Sequence, residues 1–409
     1  MNNSKFGLQK LLPVFMSFIV MGFVDILGPA TSYIQKDFGL SETVSGFLPS
    51  MILVWFFILG VPMGVLQNKY GKKNMLKIGM VVQALGLLLP FIHYAPPSMV
   101  FLVYISFILI GIGNTIIQVS ANPLLQDVSP SEKLASYMSS SQFVKAIISF
   151  SGPIIASYFA TSFGDWRLVL LVYGITSIIG AIWLSMTPIV EAKSNSKLAT
   201  FGSCLSLLKN NFIALMALSI FLIVGAEVAI NTKIGSVLTS KYTIDVTVAT
   251  LGISAFFLGE IVSRLIGTII LNWIKPRLFL LLASIISLVG IAGVVLSPSH
   301  VAVNIEIVSF MDKIKLFFNS EISMAFVSIF IIGLGIGSMF PIIFSFALKK
   351  MPDRANEISG LLIMAVSGGA VFPPVMGFVI SHISSIASLG VIGFCMSYIL
   401  WVSLKMLKD

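Results

Sequence analysis

Three ionisable side chains lie deep inside long apolar stretches of this sequence, where a charge is costly. Asp25 precedes Ile-Leu-Gly-Pro, Lys145 ends the run Ser-Ser-Ser-Gln-Phe-Val-Lys, and Glu227 follows Gly-Ala. Charged groups in hydrocarbon normally face a packed interior or a wet cavity, and they mark substrate and ion pathways. We therefore predict that these three side chains bind a solute or a coupling ion.

Asp25 is the obvious counter-charge for Lys145, and two interpretations of such a pair compete. A fixed pair would be structural, whereas a pair that opens when substrate arrives would serve binding and coupling. Gln142 lies three residues before Lys145 on the same helix face, so that face is polar over at least one turn. We favour the functional interpretation.

Glu227 shares a helix face with Asn231, four residues further on. Glu227 could titrate a proton, accept hydrogen bonds from sugar hydroxyls or pair with Lys145; the structural alternative is a helix-packing hydrogen bond. Glu260 and Arg264 are also four apart, with the acid first, which favours an intrahelical pair. We interpret that second pair as structural, holding its helix near a cytoplasmic gate.

Amide side chains are concentrated in the segment that ends in Ser-Ala-Asn-Pro. Asn114, Gln118 and Asn122 precede Pro123, and such groups have no use in a helix that only spans lipid. Gly-Ile-Gly at 111–113 would let another helix approach closely. The pattern predicts that this helix lines a polar cavity.

The composition excludes an ordinary soluble protein. Of 409 residues, 57% are hydrophobic and 10% charged, against about 25% charged in soluble domains. Basic loops on one membrane face explain the net charge of +9 without nucleic acid. The two cysteines exclude a disulfide framework, no zinc spacing occurs, and no phosphate-binding Gly-Lys-Ser/Thr loop is present. We expect no metal, no cofactor and no enzymatic activity.

A spanning helix needs about 20 apolar residues. Twelve segments qualify: 11–34, 44–66, 74–93, 98–126, 134–160, 168–187, 211–238, 247–271, 278–297, 321–347, 356–381 and 387–405. If both termini are cytoplasmic, 17 of the 25 Lys and Arg residues are inside, five are outside and three lie within segments. This asymmetry predicts an even number of crossings and cytoplasmic termini.

The chain divides into two related halves. We predict a bundle over 1–187, a cytoplasmic linker over 188–210 and a second bundle over 211–409, each bundle with six helices. Both halves repeat a glycine-rich segment followed by prolines, a pattern typical of alternating-access transporters. The longest outer loop, 298–320, is predicted to contain a short interfacial helix over 303–318.

These motifs resemble the major facilitator superfamily, and within it the fucose permease and glucose/galactose transporter branch. The most specific match is the helix-four segment 111–123, which ends in Ala-Asn-Pro; Asp25-Ile-Leu, Val224-Gly-Ala-Glu and the stretches 340–345 and 369–377 are also similar. The resemblance covers nearly all twelve helices. It implies the major facilitator fold and sugar uptake coupled to protons through acids in helices one and four.

The sequence departs from the branch at two cavity positions. Gln118 replaces the helix-four glutamate, and Lys145 replaces the asparagine expected three residues after Gln142. A glutamine cannot titrate, and an ammonium beside Asp25 would compete with a proton for its carboxylate. The loop after helix two resembles the gate motif of the superfamily, with Asn68 where an aspartate is usual.

We therefore predict a monomeric, multi-pass transporter of a cell membrane, the inner membrane of a bacterium, that imports a sugar or sugar-like solute, possibly acidic in character, by symport with a proton or sodium ion. The predicted solute-binding residues are Asp25, Gln118, Asn122, Gln142, Lys145, Glu227 and Asn231. Ion coupling is assigned to Asp25 and Glu227, and the gate to Asn68, Glu260 and Arg264. The alternative is an exporter or antiporter of drugs or metabolites.

Overall fold

The computed structural model describes residues 7–26, 30, 33–34, 37–40, 42–92, 100–192, 200–242, 251–297 and 323–408. Within these ranges the chain forms helices and turns and no strand. The predicted interfacial helix over 303–318 lies outside the described residues.

Twelve long helical elements, α1 to α12, follow one another in the described part of the chain. They are α1 Leu8–Gly22 with a 3₁₀ turn Phe23–Ile26, α2 Glu42–Tyr70, α3 Lys72–Leu88, α4 Val100–Val128, α5 Leu134–Phe163, α6 Leu168–Met186, α7 Asn211–Tyr242, α8 Leu251–Ile270, α9 Pro276–Leu296, α10 in two segments Ser323–Ile336 and Met339–Lys350, α11 in two segments Ala355–Ala365 and Gly368–His382, and α12 Ser385–Lys408. Within the described ranges, eleven of them are long and apolar enough to cross a membrane; α5, with 30 residues, is the other.

Contacts divide the chain into two compact units. Unit 1 comprises Met1–Ala217 and Phe344–Ser367, and unit 2 comprises Leu218–Ile343 and Gly368–Asp409. The end of α10 and the first segment of α11 therefore pack with the N-terminal helices. The division into halves at 188–210 describes the sequence repeat, and it stays a prediction.

Glycines set the closest helix contacts in unit 1. A Cβ built on Gly113 of α4 would lie 2.4 Å from the backbone nitrogen of Gln83 in α3. A Cβ on Gly360 of α11 would lie 2.6 Å from the carbonyl oxygen of Gly60 in α2, and one on Gly64 would lie 3.0 Å from the Gly360 Cα. Apolar burial gives little drive for association in lipid, so backbone approach at such positions determines which helices pair.

Glycines also allow the close approach of α8 and α10 in unit 2. A Cβ on Gly259 would lie 2.1 Å from the Phe330 carbonyl oxygen, and one on Gly333 would lie 2.1 Å from the Phe256 carbonyl oxygen. Neither position can hold a larger residue unless the two backbones separate. The glycines of the sequence repeat thus act as helix-crossing points.

Prolines in α4 and α10 each release a backbone carbonyl to a neighbouring helix. A proline has no N–H, so the carbonyl four residues earlier loses its helical partner. Before Pro123 that carbonyl belongs to Val119, and it accepts from the hydroxyl of Ser359 in α11 at 2.6 Å. Before Pro341 the released carbonyl belongs to Gly337, and it accepts from the guanidinium of Arg264 in α8.

We expect Ser359→Ala to lower the free energy of unfolding by about 1 kcal/mol, because a buried hydrogen bond is lost. In a Pro123→Ala background the new N–H can satisfy the Val119 carbonyl within α4, so the same change should cost little. Thermal unfolding in detergent of the wild type, Ser359→Ala, Pro123→Ala and the double variant measures this coupling. Ser403→Ala is the control, because the Ser403 hydroxyl donates to the Leu400 carbonyl oxygen within its own helix. Equal losses from Ser359→Ala in both backgrounds would contradict the interpretation.

Three predicted segments are interrupted in the structure. Asp25 lies in the 3₁₀ turn Phe23–Ile26 and not in α1, which ends at Gly22, whereas the sequence predicts one segment over 11–34. Pro29 has no N–H with which to give the Asp25 carbonyl a helical partner. The segments predicted over 321–347 and 356–381 each divide into two helices, at 337–338 and 366–367, close to the Gly and Pro residues of each segment.

Candidate functional site

The structure brings Asp25 and Lys145 together in unit 1. The Lys145 ammonium lies 3.5 Å from Oδ2 of Asp25, and their side chains are 22% and 39% exposed respectively. A direct charged hydrogen bond is typically about 2.7–2.9 Å long. The pair is therefore loose and partly open, so that each charge can meet a ligand or water.

Two neighbours position the pair. The Ser149 hydroxyl, one turn after Lys145 on α5, donates to Oδ2 of Asp25. Gly22 of α1 allows the close approach, because a Cβ there would lie 2.9 Å from the Lys145 carbonyl oxygen. Asp25 thus accepts a hydrogen bond from a neutral donor and faces a cation, both from α5.

The amide side chains predicted for the cavity are mostly buried in unit 1. Gln118 and Gln142 are 8% and 7% exposed, and Asn122 is 2% exposed. The Asn122 amide donates to the Gln118 carbonyl oxygen at 3.0 Å, so its N–H₂ is used within α4. The side-chain amide of Asn114 has no hydrogen-bond partner among the described residues. Whether these amides contact a solute stays a prediction.

In unit 2 the structure gives Glu227 a different partner from the one considered above. Nη2 of Arg264 lies 3.6 Å from Oε1 of Glu227 and 3.4 Å from Oε2 of Glu260. The expected Glu260–Arg264 pair is present, but Glu227 of α7 joins it, so these three side chains form one cluster.

The backbone of α10 fixes Arg264. Its Nε donates to the Gly337 carbonyl oxygen at 3.2 Å, the carbonyl released by Pro341. Asn231, one turn after Glu227, is partly buried, and its Oδ1 has no hydrogen-bond partner among the described residues. The cluster thus combines two carboxylates and one anchored guanidinium. The buried Oδ1 of Asn231 lies on the same face of α7 as Glu227.

A third set of polar contacts lies at the end of unit 1 that carries the loop between α2 and α3. Asn68 accepts a hydrogen bond from the Asn356 amide of α11 at 2.7 Å. Lys72 and Asp127 form a buried pair at 2.7 Å. The Glu191 carboxylate accepts from the backbone N–H groups of Lys72 and Lys73, as an anion does at a helix N-terminus. This set is the candidate gate.

A short helix, Phe201–Ser206, extends the gate. Arg354 pairs with Glu357 and also donates to the Ser203 carbonyl oxygen at 2.8 Å, while the Ser203 hydroxyl donates to Glu357 at 2.7 Å. The chain before α7 is thereby fastened to the start of α11.

Burial raises the pKa of the Cys204 thiol in this short helix to about 12, and the nearby Glu357 acts in the same direction. We expect maleimide to react with Cys204 at pH 7 at least about 1,000-fold more slowly than with an ordinary cysteine of pKa about 8.5, because the thiolate is the nucleophile. A Cys395→Ser variant isolates the measurement, and the unfolded protein should react at the ordinary rate. Fast labelling of the native protein would contradict this packing.

Sequence reasoning missed several partners that the structure supplies. Ser149 follows Lys145 by four residues, so helical spacing could have indicated it. Asn356 and Arg264 reach Asn68 and Glu227 from helices distant in the sequence, and no local spacing predicts such pairs.

Comparisons with known proteins agree with the resemblance seen in the motifs. The sequence profile described as Major Facilitator Superfamily matches residues 14–374. A glucose/galactose transporter of Brucella abortus biovar 1 (strain 9-941) is 25% identical over 400 residues, which cover 92% of this chain and 88% of that protein. These matches confirm the predicted branch and, together with the apolar helices, a multi-pass protein of a bacterial inner membrane.

Solved structures show the same fold. FucP, a transporter crystallised in its outward conformation, superposes with a TM-score of 0.79 at 16% identity and covers 96% of this chain and 97% of its own. The proton:xylose symporter XylE superposes with a TM-score of 0.72 at 15% identity, over 99% and 96% of the two chains. The predicted all-α membrane fold is confirmed; the cytoplasmic location of the termini stays a prediction.

Proposed function

Because the chain belongs to the Major Facilitator Superfamily, we propose that it is a secondary active transporter that imports a sugar or a sugar-like solute by alternating access. Transport would be symport with a proton or a sodium ion. The curated relative is named as a glucose/galactose transporter, and two structural neighbours are named as fucose:proton and xylose:proton symporters. These names support a sugar-like solute and ion coupling.

The observation that carries the proposal is the loose Asp25–Lys145 pair. A separation of 3.5 Å is longer than a tight charged hydrogen bond, and both side chains are partly exposed, so a polar group can approach either charge from the side. Hydroxyl groups can donate to the carboxylate and accept from the ammonium. The Lys145 ammonium is also a counter-ion for a carboxylate, so acidic sugars belong to the expected solutes.

The solute-contacting residues we propose are Asp25, Gln118, Asn122, Gln142, Lys145, Glu227 and Asn231. Asp25 and Glu227 are proposed to serve ion coupling as well. Asn68 is assigned to the gate, and the structure supports this assignment with its bond to Asn356 of α11. The bundles over 1–187 and 211–409 are proposed to be the parts that alternate.

Counterflow in proteoliposomes tests the function. Vesicles preloaded with unlabelled glucose, galactose, fucose or a uronic acid are diluted into the labelled form of the same solute. We expect transient accumulation of at least one of them, abolished in Lys145→Ala. Accumulation of none of these solutes, together with efflux of dyes or drugs, would contradict the proposal and favour the exporter.

Imposed gradients test the coupling. We expect a proton or sodium gradient to drive uptake of the solute identified by counterflow, and Glu227→Gln to remove that drive. If uptake responds to neither gradient, Glu227 has no role in ion coupling and the protein is a uniporter.

A further inference from the structure

Lys233 of α7 is a cation that forms neither a hydrogen bond nor an ion pair with any described residue. The acids that the structure describes in unit 2 are Glu227 and Glu260, and both lie beside Arg264. The Lys233 ammonium lies instead across Gly377 of α11, 3.6 Å from the position of a Cβ built on that glycine. The charge of Lys233 is therefore available to a ligand.

The position of Lys233 along α7 places its charge inside the membrane span. Near the end of α7, the Lys241 ammonium donates to the Val295 carbonyl oxygen at 3.0 Å, where α9 ends. The 21 residues of α9 have about the length that crosses the hydrocarbon core. Lys233 precedes Lys241 by eight residues, or about 12 Å along the helix. Its ammonium lies at Gly377, five residues before α11 ends at His382, so the charge does not reach the edge of the span.

The open face of α7 around Lys233 is polar. Thr232, Ser236 and Ser240 follow one another at four-residue intervals and are exposed. The side chains that this stretch buries are apolar: Ile234, Val237 and Leu238. At the same depth α9 exposes Ile285 and Val289, as a lipid-facing helix does. Hydroxyl and ammonium groups are costly in hydrocarbon, so this face of α7 borders water.

The polar groups beside Lys233 fit a ligand that carries both carboxyl and hydroxyl groups. The Ser236 hydroxyl, one turn after Lys233, forms no hydrogen bond with a described residue. The Thr232 hydroxyl donates to the Val228 carbonyl oxygen at 2.9 Å and can still accept from a donor. One ammonium between two hydroxyls matches a carboxylate with hydroxyl groups near it, which is the arrangement in a uronic acid.

We propose that Lys233, Thr232 and Ser236 bind an acidic sugar, with the solute carboxylate on the Lys233 ammonium. This site rests on the proposed function and narrows its substrate class, because a neutral sugar of the same shape gains nothing from the unpaired charge. Lys145 provides less of this selectivity, since Asp25 faces it at 3.5 Å and offsets its charge. The new site belongs to unit 2, and the Asp25–Lys145 pair belongs to unit 1.

Cysteine labelling in proteoliposomes tests access to this face without any solute. In a background with Cys204 and Cys395 replaced by serine, Ser236→Cys should react with sulfonatoethyl methanethiosulfonate at least about 100-fold faster than Val289→Cys, because the reactive thiolate forms in water and not in lipid. Val289 is the matched control, since it is 58% exposed at the same depth. Equal rates at the two positions would overturn the proposal.

Reagents of opposite charge test the ammonium itself. In the Ser236→Cys protein, Lys233→Gln should lower the ratio of the rates with this anionic reagent and with cationic trimethylammonioethyl methanethiosulfonate at least about threefold, because the ammonium attracts one and repels the other. Lys233→Arg should keep the ratio. Lys405→Gln is the control, because the Lys405 ammonium lies over the Trp401 ring. Lys233→Gln leaves no carboxylate without a counter-ion, so it should fold; an unchanged ratio in it would refute the site.

Protection from labelling identifies the ligand class. Galacturonate should slow the labelling of Ser236→Cys half-maximally at a concentration at least about tenfold below that needed for galactose, because a charged hydrogen bond is stronger than a neutral one. Lys233→Gln should remove this difference. Inorganic phosphate tests for a site that accepts any anion: protection by phosphate equal to that by galacturonate, or equal protection by the two sugars, would contradict the assignment to an acidic sugar.

Counterflow separates this proposal from the proposed function. Lys233→Gln should lower the preference for galacturonate over galactose, measured as the ratio of their half-saturating concentrations, at least about tenfold, and Lys405→Gln should leave it unchanged. Protection by galacturonate that depends on Lys233, in a protein without sugar counterflow, would contradict the function and leave the site standing. Sugar counterflow with an unchanged preference in Lys233→Gln would overturn the site and leave the function standing.

Discussion

Replacing Lys145 by alanine should reduce solute uptake on the order of 100-fold, because truncating one member of a charge pair at a binding site costs about 2–5 kcal/mol and each 1.4 kcal/mol is a factor of ten. The change removes the ammonium that faces Asp25 at 3.5 Å and leaves that carboxylate without its cation. Initial rates of uptake into proteoliposomes, at matched protein amounts, measure the effect.

Further variants separate a binding role from a structural one. Lys145→Arg keeps the charge but presents it on a planar fork, so we expect little activity to remain. Combining Lys145→Ala with Asp25→Asn restores neutrality, which should recover thermal stability but not uptake. If the double variant regained uptake, the pair would be structural; wild-type uptake by Lys145→Ala alone would refute the cavity assignment.

Gly360→Leu should lower uptake at least about tenfold, because overpacking at a helix contact costs about 1–3 kcal/mol and this contact belongs to the candidate gate. A Cβ at Gly360 already meets the Gly60 carbonyl oxygen at 2.6 Å. The larger side chain forces α2 and α11 apart at the end where Asn68 and Asn356 meet.

Crosslinking reports that separation directly. In a background with Cys204 and Cys395 replaced by serine, cysteines introduced at Asn68 and Asn356 should crosslink efficiently, since the native side chains approach to 2.7 Å. Adding Gly360→Leu should abolish the crosslink. Gly390→Leu is the matched control, because a Cβ there meets nothing within 4 Å. An unchanged crosslink in Gly360→Leu would show that the larger side chain fits without separating α2 from α11, which contradicts the prediction.

The sequence was sufficient for the fold because long apolar runs have one stable use in a membrane. Each predicted segment overlaps one of the twelve long helical elements, and the apolar content of α4 or α9 leaves no alternative to a helix. The sequence was not sufficient to predict that the helices α10 and α11 are interrupted at 337–338 and 366–367. Hydropathy is continuous across both breaks. At the first, Pro341 has no N–H for the Gly337 carbonyl; at the second, Val366 and Ser367 donate to carbonyls three residues earlier.

The sequence predicted which residues belong to the candidate site better than it predicted which of them pair with one another. Asp25 and Lys145 were paired correctly because few other intramembrane charges were available. The sequence offers Lys145 as a partner for Glu227, yet Glu227 lies beside Arg264. The spacing of Glu260 and Arg264 already gives that arginine a partner in its own helix, so nothing in the sequence points to Glu227 as a second one. Pairs between helices that are distant in the sequence depend on which face each helix turns toward its neighbour. The glycine contacts determine that orientation, and it cannot be read from local spacing in one sequence.

The two prolines that release carbonyls have a consequence for how homologous sequences should vary. The acceptor they create is a main-chain atom, so no substitution at Val119 or Gly337 can delete it, and any side chain with a donor can satisfy it. Among related chains we expect the imino acid to persist while the residue facing it changes freely between hydroxyl, amide and guanidinium, as Ser359 and Arg264 already differ within this one polypeptide.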